Sequence, residues 1–355
     1  MKKNRKKLPL ILGVLALLVV VIVVIALWGG PTSAAPDVSG TVSEYMPSTD
    51  TMIIEVDELR RAMTAEGDDL VVIGTINPDL GWIPFTTPFH TIADSYLVWR
   101  PDYSGAEAES AISPAITGMR RSVAEMEELM SRAGATSDTY VVVYSADAMH
   151  DAARIVWQLR MMGHENVWYL NGGLNAWQEG NHPVTAFGTR LADQEVTSNY
   201  VAVNYTPENS AATMDMVVYA LENPDEWIVI DTRSGDEFAG EVTDSSTGAY
   251  GTGRIAGSVH INWSEAVDQD TQLIKPRAEL EDIFSIIDGR NVIVYCQSGV
   301  RSGHTWMVLT DILGLEHVWN YDGSWIEWSY AASTFSDFDG ILELTEEWTD
   351  NEEPL

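Results

Sequence analysis

VVYSADAMHDAARIVWQLRMMGHENVWYLNGGLNAW, residues 142–177, has a counterpart further along the same chain: IVYCQSGVRSGHTWMVLTDILGLEHVWNYDGSWIEW, residues 293–328. A shift of 151 residues aligns the two without a gap, placing Tyr144 on Tyr295, Gly163 on Gly314 and Trp168 on Trp319. Gly172 then falls on Gly323 and Trp177 on Trp328. Self-similarity of this kind marks a duplicated structural unit. The 355 residues therefore divide into two copies of one domain, residues 51–187 and 206–335, with a polar linker at 188–205.

Each copy opens and centres on short β-branched runs bounded by turn residues: 70–74 and 140–144 in the first, 227–231 and 291–295 in the second. Such runs read as strands buried on both faces, as parallel sheets require. Segments 123–133 and 151–162 carry apolar residues at helical spacing and alternate with the strands. The expected class is α/β, each copy a mostly parallel sheet flanked by helices.

The copies differ where chemistry would sit. Cys296 is the only cysteine in the chain, and Ser145 occupies its place in the first copy. Ala148 opposes Gly299, and His150 opposes Arg301. Aligning VVIGTI (71–76) with IVIDTR (228–233) puts Gly74 and Ile76 opposite Asp231 and Arg233. Chemistry is expected in the second copy alone.

Cys296 stands at the carboxyl end of an expected parallel strand, the edge where open α/β sheets bind ligands. Gln297, Ser298, Gly299, Val300 and Arg301 form a short loop before an expected helix over 302–313. Such a loop can curl its backbone N–H groups into an anion nest at a helix N-terminus. A thiol at its centre ionises readily and becomes a nucleophile.

Ahead of the first copy, MKKNRKK carries five cations and residues 10–28 lack any polar side chain. That run is long enough to span a bilayer, so 1–36 reads as an anchor or a signal segment, with the folded part outside the cytoplasm. Residues 37–50 read as a stalk. No acid precedes Asp37, so the exported part holds all 53 acids against 15 of the 20 cations, a net −38. Such a surface repels nucleic acid. The last stretch, 336–355, has eight acids and no base, and reads as a solvated tail. A lone cysteine excludes an intramolecular disulfide, and the histidines show no metal-ligand spacing with it, so neither metal nor cofactor is expected.

The second copy resembles a rhodanese domain, of the sulfurtransferase family that carries a persulfide on a loop cysteine. The resemblance rests on CQSGVRS followed by HTW, on NYDGSWIEW, on IDTRSGDEF and on GRIAGSVHINW. The first copy, with GHENV and LNGGLNAW, resembles the inactive first domain of two-domain rhodaneses. The resemblance implies tandem rhodanese-like domains with Cys296 as nucleophile, a small anionic sulfur donor, and a thiol or cyanide acceptor. It implies Arg301 as the holder of the donor's anionic group or of the loop. Asp231 and Arg233 are expected to brace the loop or pair with each other. Arg254 stands where the family often has histidine, and His260 and His304 are expected to pack or cap. Gln297 departs from the basic residue common in thiosulfate users. The loop is not of the C-G-S-G-V-T type of mercaptopyruvate users either, so both donors stay open, with Arg301 favouring thiosulfate. A cysteine phosphatase would need C-x5-R where this chain has C-x4-R. A non-catalytic pair of interaction modules is the other alternative.

Overall fold

The β-branched runs build two separate parallel sheets in the computed structural model, which describes residues 36, 38–67, 69–77, 90–105, 116–146, 149–186, 188–242, 248–333 and 340–350. In the first sheet β1 (Ile53–Ile54), β2 (Leu70–Thr75), β3 (Tyr96–Val98), β4 (Tyr140–Ser145), β5 (Val167–Leu170) and β6 (Thr189–Arg190) lie in the order β1-β5-β4-β2-β3-β6. The second copy supplies β7 (Ala211–Ala212), β8 (Trp227–Asp231), β9 (Gly251–Ile255), β10 (Val259–His260), β11 (Asn291–Tyr295) and β12 (Val318–Tyr321). Its sheet runs β7-β12-β11-β8-β10, with β9 outside it. The repeat thus preserves strand order. Val141, Val142 and Val143, and likewise Val292, Ile293 and Val294, are fully buried, because helices cover both faces.

Five helices matter for the site: α1 (Arg100–Tyr103), α2 (Met149–Met161), α3 (Gly235–Phe238), α4 (Val300–Met307) and α5 (Ser324–Ala332). Helices α2 and α4, equivalent in the repeat, pack against each other across the two copies. That contact explains why α2 buries nearly its whole circumference, including Arg154, Trp157 and Gln158. Trp157 of α2 and Leu309 beyond α4 belong to one continuous apolar core. Each such fully buried large side chain stabilises the fold by about 1.5 to 3 kcal/mol. The helix expected over 302–313 starts earlier and changes pitch. Residues Val308–Ile312 form a wider turn in which Leu313 N–H donates to Val308 O, five residues back.

Three stretches expected outside the domains are packed onto them. In the stalk, Val42–Glu44 forms a helical turn with Val42 buried, and Glu66 N–H donates to Gly40 O. The linker supplies β6, paired in parallel with β3, and buries Leu191 and Tyr200. In the acidic tail, β13 (Thr345–Asp350) pairs antiparallel with β9. Its Thr345 Oγ1 accepts from Trp328 Nε1 at 3.0 Å, and Trp348 meets the Trp325 ring at 6.2 Å. Strand pairing and aromatic contact outweigh the charge there, since Glu346 and Glu347 stay exposed beside Arg254 where the pairing shifts register. The apolar span at 10–28 lies outside the described residues. Among the described residues no helix is long and apolar enough to cross a membrane.

Candidate active site

Cys296 follows β11 directly and is 1 % exposed. Its backbone is pinned to the start of α5: Trp325 N–H donates to Cys296 O at 3.0 Å, and Ile326 N–H donates to Gln297 O at 3.1 Å. Ser324 Oγ accepts from Cys296 N–H at 3.2 Å. Gly299, at the N-cap of α4, has φ +73°, and a Cβ there would lie 2.8 Å from Asp322 O. Only glycine allows the loop to close this tightly. Gly299 O then accepts from Asn320 Nδ2 at 2.9 Å and from Arg154 Nη1 of the first copy at 3.1 Å.

Backbone N–H groups of Ser298 and Ser302 and the Ser302 hydroxyl, 3.5 Å from Sγ, all favour a charged sulfur. Burial works against ionisation, but Arg301 and these donors prevail and lower the Cys296 pKa below the usual thiol value. The single Ser302 hydroxyl proton has a second acceptor in reach, Asn320 Oδ1 at 2.7 Å, and this buried contact ties α4 to β12.

Asp231 and Arg233 are wholly buried and pair with each other, Nη2 to Oδ2 at 2.6 Å. Tyr295 Oη donates to the same Oδ2 at 2.6 Å, and Arg233 Nη2 reaches Gly253 O at 2.8 Å. The guanidinium lies over the Trp325 ring at 4.7 Å. This pair joins β8, β9, β11 and α5, and of the two expected arrangements it is the mutual pairing that is seen. Arg254 stands outside the pocket. It holds Phe238 O at the end of α3 with Nη1, 3.0 Å, and ties the tail through Glu346 at 2.7 Å. His260 bonds Arg233 O at 2.9 Å and stacks on Phe238. His304 is buried edge-on between Tyr169 and Trp263.

A cavity of about 350 Å³ opens over Cys296, lined by Gln297, Ser298, Val300 and Arg301 of the loop and by Ser234, Glu237 and Val242. The first copy completes the wall with Arg100 and His150. Arg301 does not face this space as an uncommitted cation. Its Nη1 and Nη2 both donate to the Glu237 carboxylate at 2.7 Å, a bidentate pair. Burial opposes the Glu237 charge, but Arg301 and Ser234 hold its pKa down at about 2. Burial pushes His150 down to about 4, so its ring is neutral at ordinary pH.

Sequence reasoning missed Glu237, Arg154, Arg100 and His150 as parts of this site. Ser234 to Glu237 has the S-x-x-E form of a helix capping box, and the structure contains that box, so the position of Glu237 on the strand-end rim was legible. His150 aligns with Arg301 in the repeat, and the packing of α2 on α4 brings the two equivalents to one cavity. Arg100 carried no local signal. Among the described residues no cluster of three His, Cys, Asp or Glu side chains could hold a metal.

A buried thiol of lowered pKa, ringed by N–H donors under a small cavity, is built for attack on a small electrophile. Comparison with known proteins agrees in class. The rhodanese-like domain family matches residues 103–180 and 217–331. The thiosulfate sulfurtransferase of Corynebacterium glutamicum is 34 % identical over 206 residues, 57 % of this chain and 67 % of that protein. The sulfur carrier protein TtuD of Thermus thermophilus is 35 % identical over 216 residues, 58 % and 73 % of the two chains. The crystal structure of SseA from Escherichia coli, described with the rhodanese fold of 3-mercaptopyruvate sulfotransferases, superposes with a TM-score of 0.57. It is 21 % identical and covers 78 % of this chain and 99 % of its own. With two matched copies over more than half of its length, this chain belongs to the rhodanese family of sulfurtransferases.

Proposed function

We propose that the protein moves sulfane sulfur from thiosulfate to a thiol or cyanide acceptor through a persulfide on Cys296. The observation that carries this reading is the Cys296 sulfur itself, at the floor of the cavity, with Ser298, Ser302 and Arg301 placed to favour its ionisation. The thiolate attacks the outer sulfur of the donor. The S–S bond of thiosulfate breaks, its electron pair leaves with sulfite, and Cys296 keeps one extra sulfur bearing the negative charge. An acceptor thiolate or cyanide then takes that sulfur and returns the Cys296 thiolate. The same loop donors that favour the thiolate favour the persulfide anion, so neither step needs a rearranged site.

Thiosulfate is preferred because the wall is polar and carries Arg100 besides the neutralised Arg301–Glu237 pair, and a near relative bears that name. 3-Mercaptopyruvate is the second reading, because Gln297 in place of a basic residue leaves one cation fewer for a strongly anionic donor. Incubating the full chain with each donor and weighing it intact tests both. The expected result is a gain of one sulfur with thiosulfate, removed by cyanide and absent in Cys296→Ser. A gain with 3-mercaptopyruvate alone reassigns the donor, and no gain with either favours a non-catalytic module.

We also place the folded part outside the cytoplasm, held at the membrane by residues 10–28, on the strength of that apolar run and its five flanking cations. Protection of both copies from protease added to intact cells or spheroplasts would overturn it.

A further inference from the structure

We propose that Arg100 of the first copy, oriented by His150 and Asp151, is the residue that binds the anionic head of the sulfur donor, while Arg301 serves the loop. The proposal rests on the sulfur-transfer reading for the identity of the donor, and on geometry alone for the anion site.

Both arginines line the cavity, but they present different faces to it. Arg301 uses its two Nη groups on Glu237, an acid that itself lines the cavity, so the second copy shows a neutralised pair. Arg100 uses Nε on Asp151 Oδ1 at 3.0 Å. That carboxylate is wholly buried behind the wall and takes a further bond from Tyr103 Oη at 2.8 Å. Arg100 Nη2 lies 3.3 Å from His150 Nε2. A guanidinium only donates, so Nε2 must be the accepting nitrogen and the ring proton sits on Nδ1. His150 thus aims the arginine without adding charge, and the ring is fixed in turn by an edge contact with Trp263 at 4.7 Å. Arg100 Nη1 makes no bond to any described residue, and the side chain keeps 38 % of its surface exposed. The cavity therefore has one cation whose counter-ion is hidden and whose donors face the space above Cys296. A planar fork of this kind matches a sulfonate or carboxylate head.

The division of labour can be read without turnover. Cys296 in the full chain is alkylated by iodoacetate, an anion, and by iodoacetamide, its neutral counterpart. Arg100→Gln is expected to lower the iodoacetate to iodoacetamide rate ratio by about tenfold, the scale of one charge-assisted hydrogen bond. Arg301→Gln is expected to slow both reagents together, because it acts on the thiolate. Arg100→Lys keeps a partner for the buried Asp151 and guards against misfolding. Loss of the fork is expected to cost about threefold in the same ratio. An unchanged ratio in Arg100→Gln or, should that variant not fold, in Arg100→Lys overturns the proposal. So does a ratio that falls only in Arg301→Gln. With thiosulfate, Arg100→Gln is expected to raise KM far more than it lowers kcat. If wild-type protein gains no sulfur from any donor, the alkylation ratio still decides the anion site, so the two readings fail separately.

Discussion

The two copies hold one tyrosine in the same place for different ends. In the first, Tyr144, one residue before the end of its strand, holds Oη 2.9 Å from Ser95 Oγ and accepts from Ile92 N–H at 3.1 Å. In the second, Tyr295 accepts from Ile255 N–H at 3.2 Å and lies 3.3 Å from Ser258 Oγ. The frame is common; what surrounds it is not. Register pairs Gly74 with Tyr144 and Asp231 with Tyr295. A Cβ on Gly74 would lie 2.4 Å from the Tyr144 ring, so the first copy has closed the space where the second keeps a buried carboxylate and its arginine. Ser145, in the cysteine position, is likewise sealed. Its Oγ donates to Met149 O at 3.0 Å and accepts from Ala152 N–H at 3.1 Å. The first copy uses the position equivalent to Cys296 as a helix anchor and gives the shared cavity a wall instead.

The largest effect that tests this contrast is loss of the thiol. Cys296→Ser should abolish persulfide formation, and adding Ser145→Cys to it should not restore any, read as intact mass after donor treatment. A loaded Ser145→Cys would break the comparison, since it would mean the first loop kept a working nest.

Next comes the buried pair. Asp231→Ala leaves Arg233 charged and unpaired in the core and should cost about 3 to 5 kcal/mol in denaturant unfolding. Gly74→Asp should also destabilise, through the Tyr144 clash, and should not create a second site. Equal stability of Asp231→Ala and wild type would remove the bracing role.

The Glu237 and Arg301 pair sharpens the electrostatics. Neutralising the acid in Glu237→Gln leaves more net positive charge beside Sγ, so the Cys296 alkylation midpoint should move down in pH. Arg301→Gln should move it up, each by about one unit. The sign for stability runs the other way in pH. Glu237 is depressed to about 2 from an ordinary value near 4.5, so its contribution is full above that value and is lost as pH falls from about 4.5 through 2. Wild type and Glu237→Gln should therefore differ in stability at neutral pH and converge near pH 2.

The smallest effect is at the tail. Arg254→Ala removes a partly exposed ion pair with Glu346 and should cost under about 1 kcal/mol, visible as a small drop in Tm that high salt reduces.

How much was legible follows from the range of each signal. Tyr140–Ser145 and Asn291–Tyr295 are runs whose β-branched residues declare strands locally, and their likeness declares the repeat. The loop from Gln297 to Arg301 could be placed because a strand, a glycine and a helix follow one another in sequence. The tail misled, because eight acids dominate its composition while its fate depended on a strand nearly 100 residues earlier. The linker misled for the same reason, its strand being decided by pairing with Tyr96–Val98.

By itself the sequence determined the duplication, the α/β class, and the one thiol at a strand end with Asp231 and Arg233 beside it, all matters of local pattern and of comparison between copies. Only the tertiary structure decided who serves that thiol. Packing Met149–Met161 against Val300–Met307 carries Arg100, His150 and Arg154 to a loop some 150 to 200 residues away. The same fold commits Arg301 to Glu237. Periodicity reports which face of an element is apolar, but it carries no record of which other face will cover it, and an arginine's role depends on whether an acid meets it there.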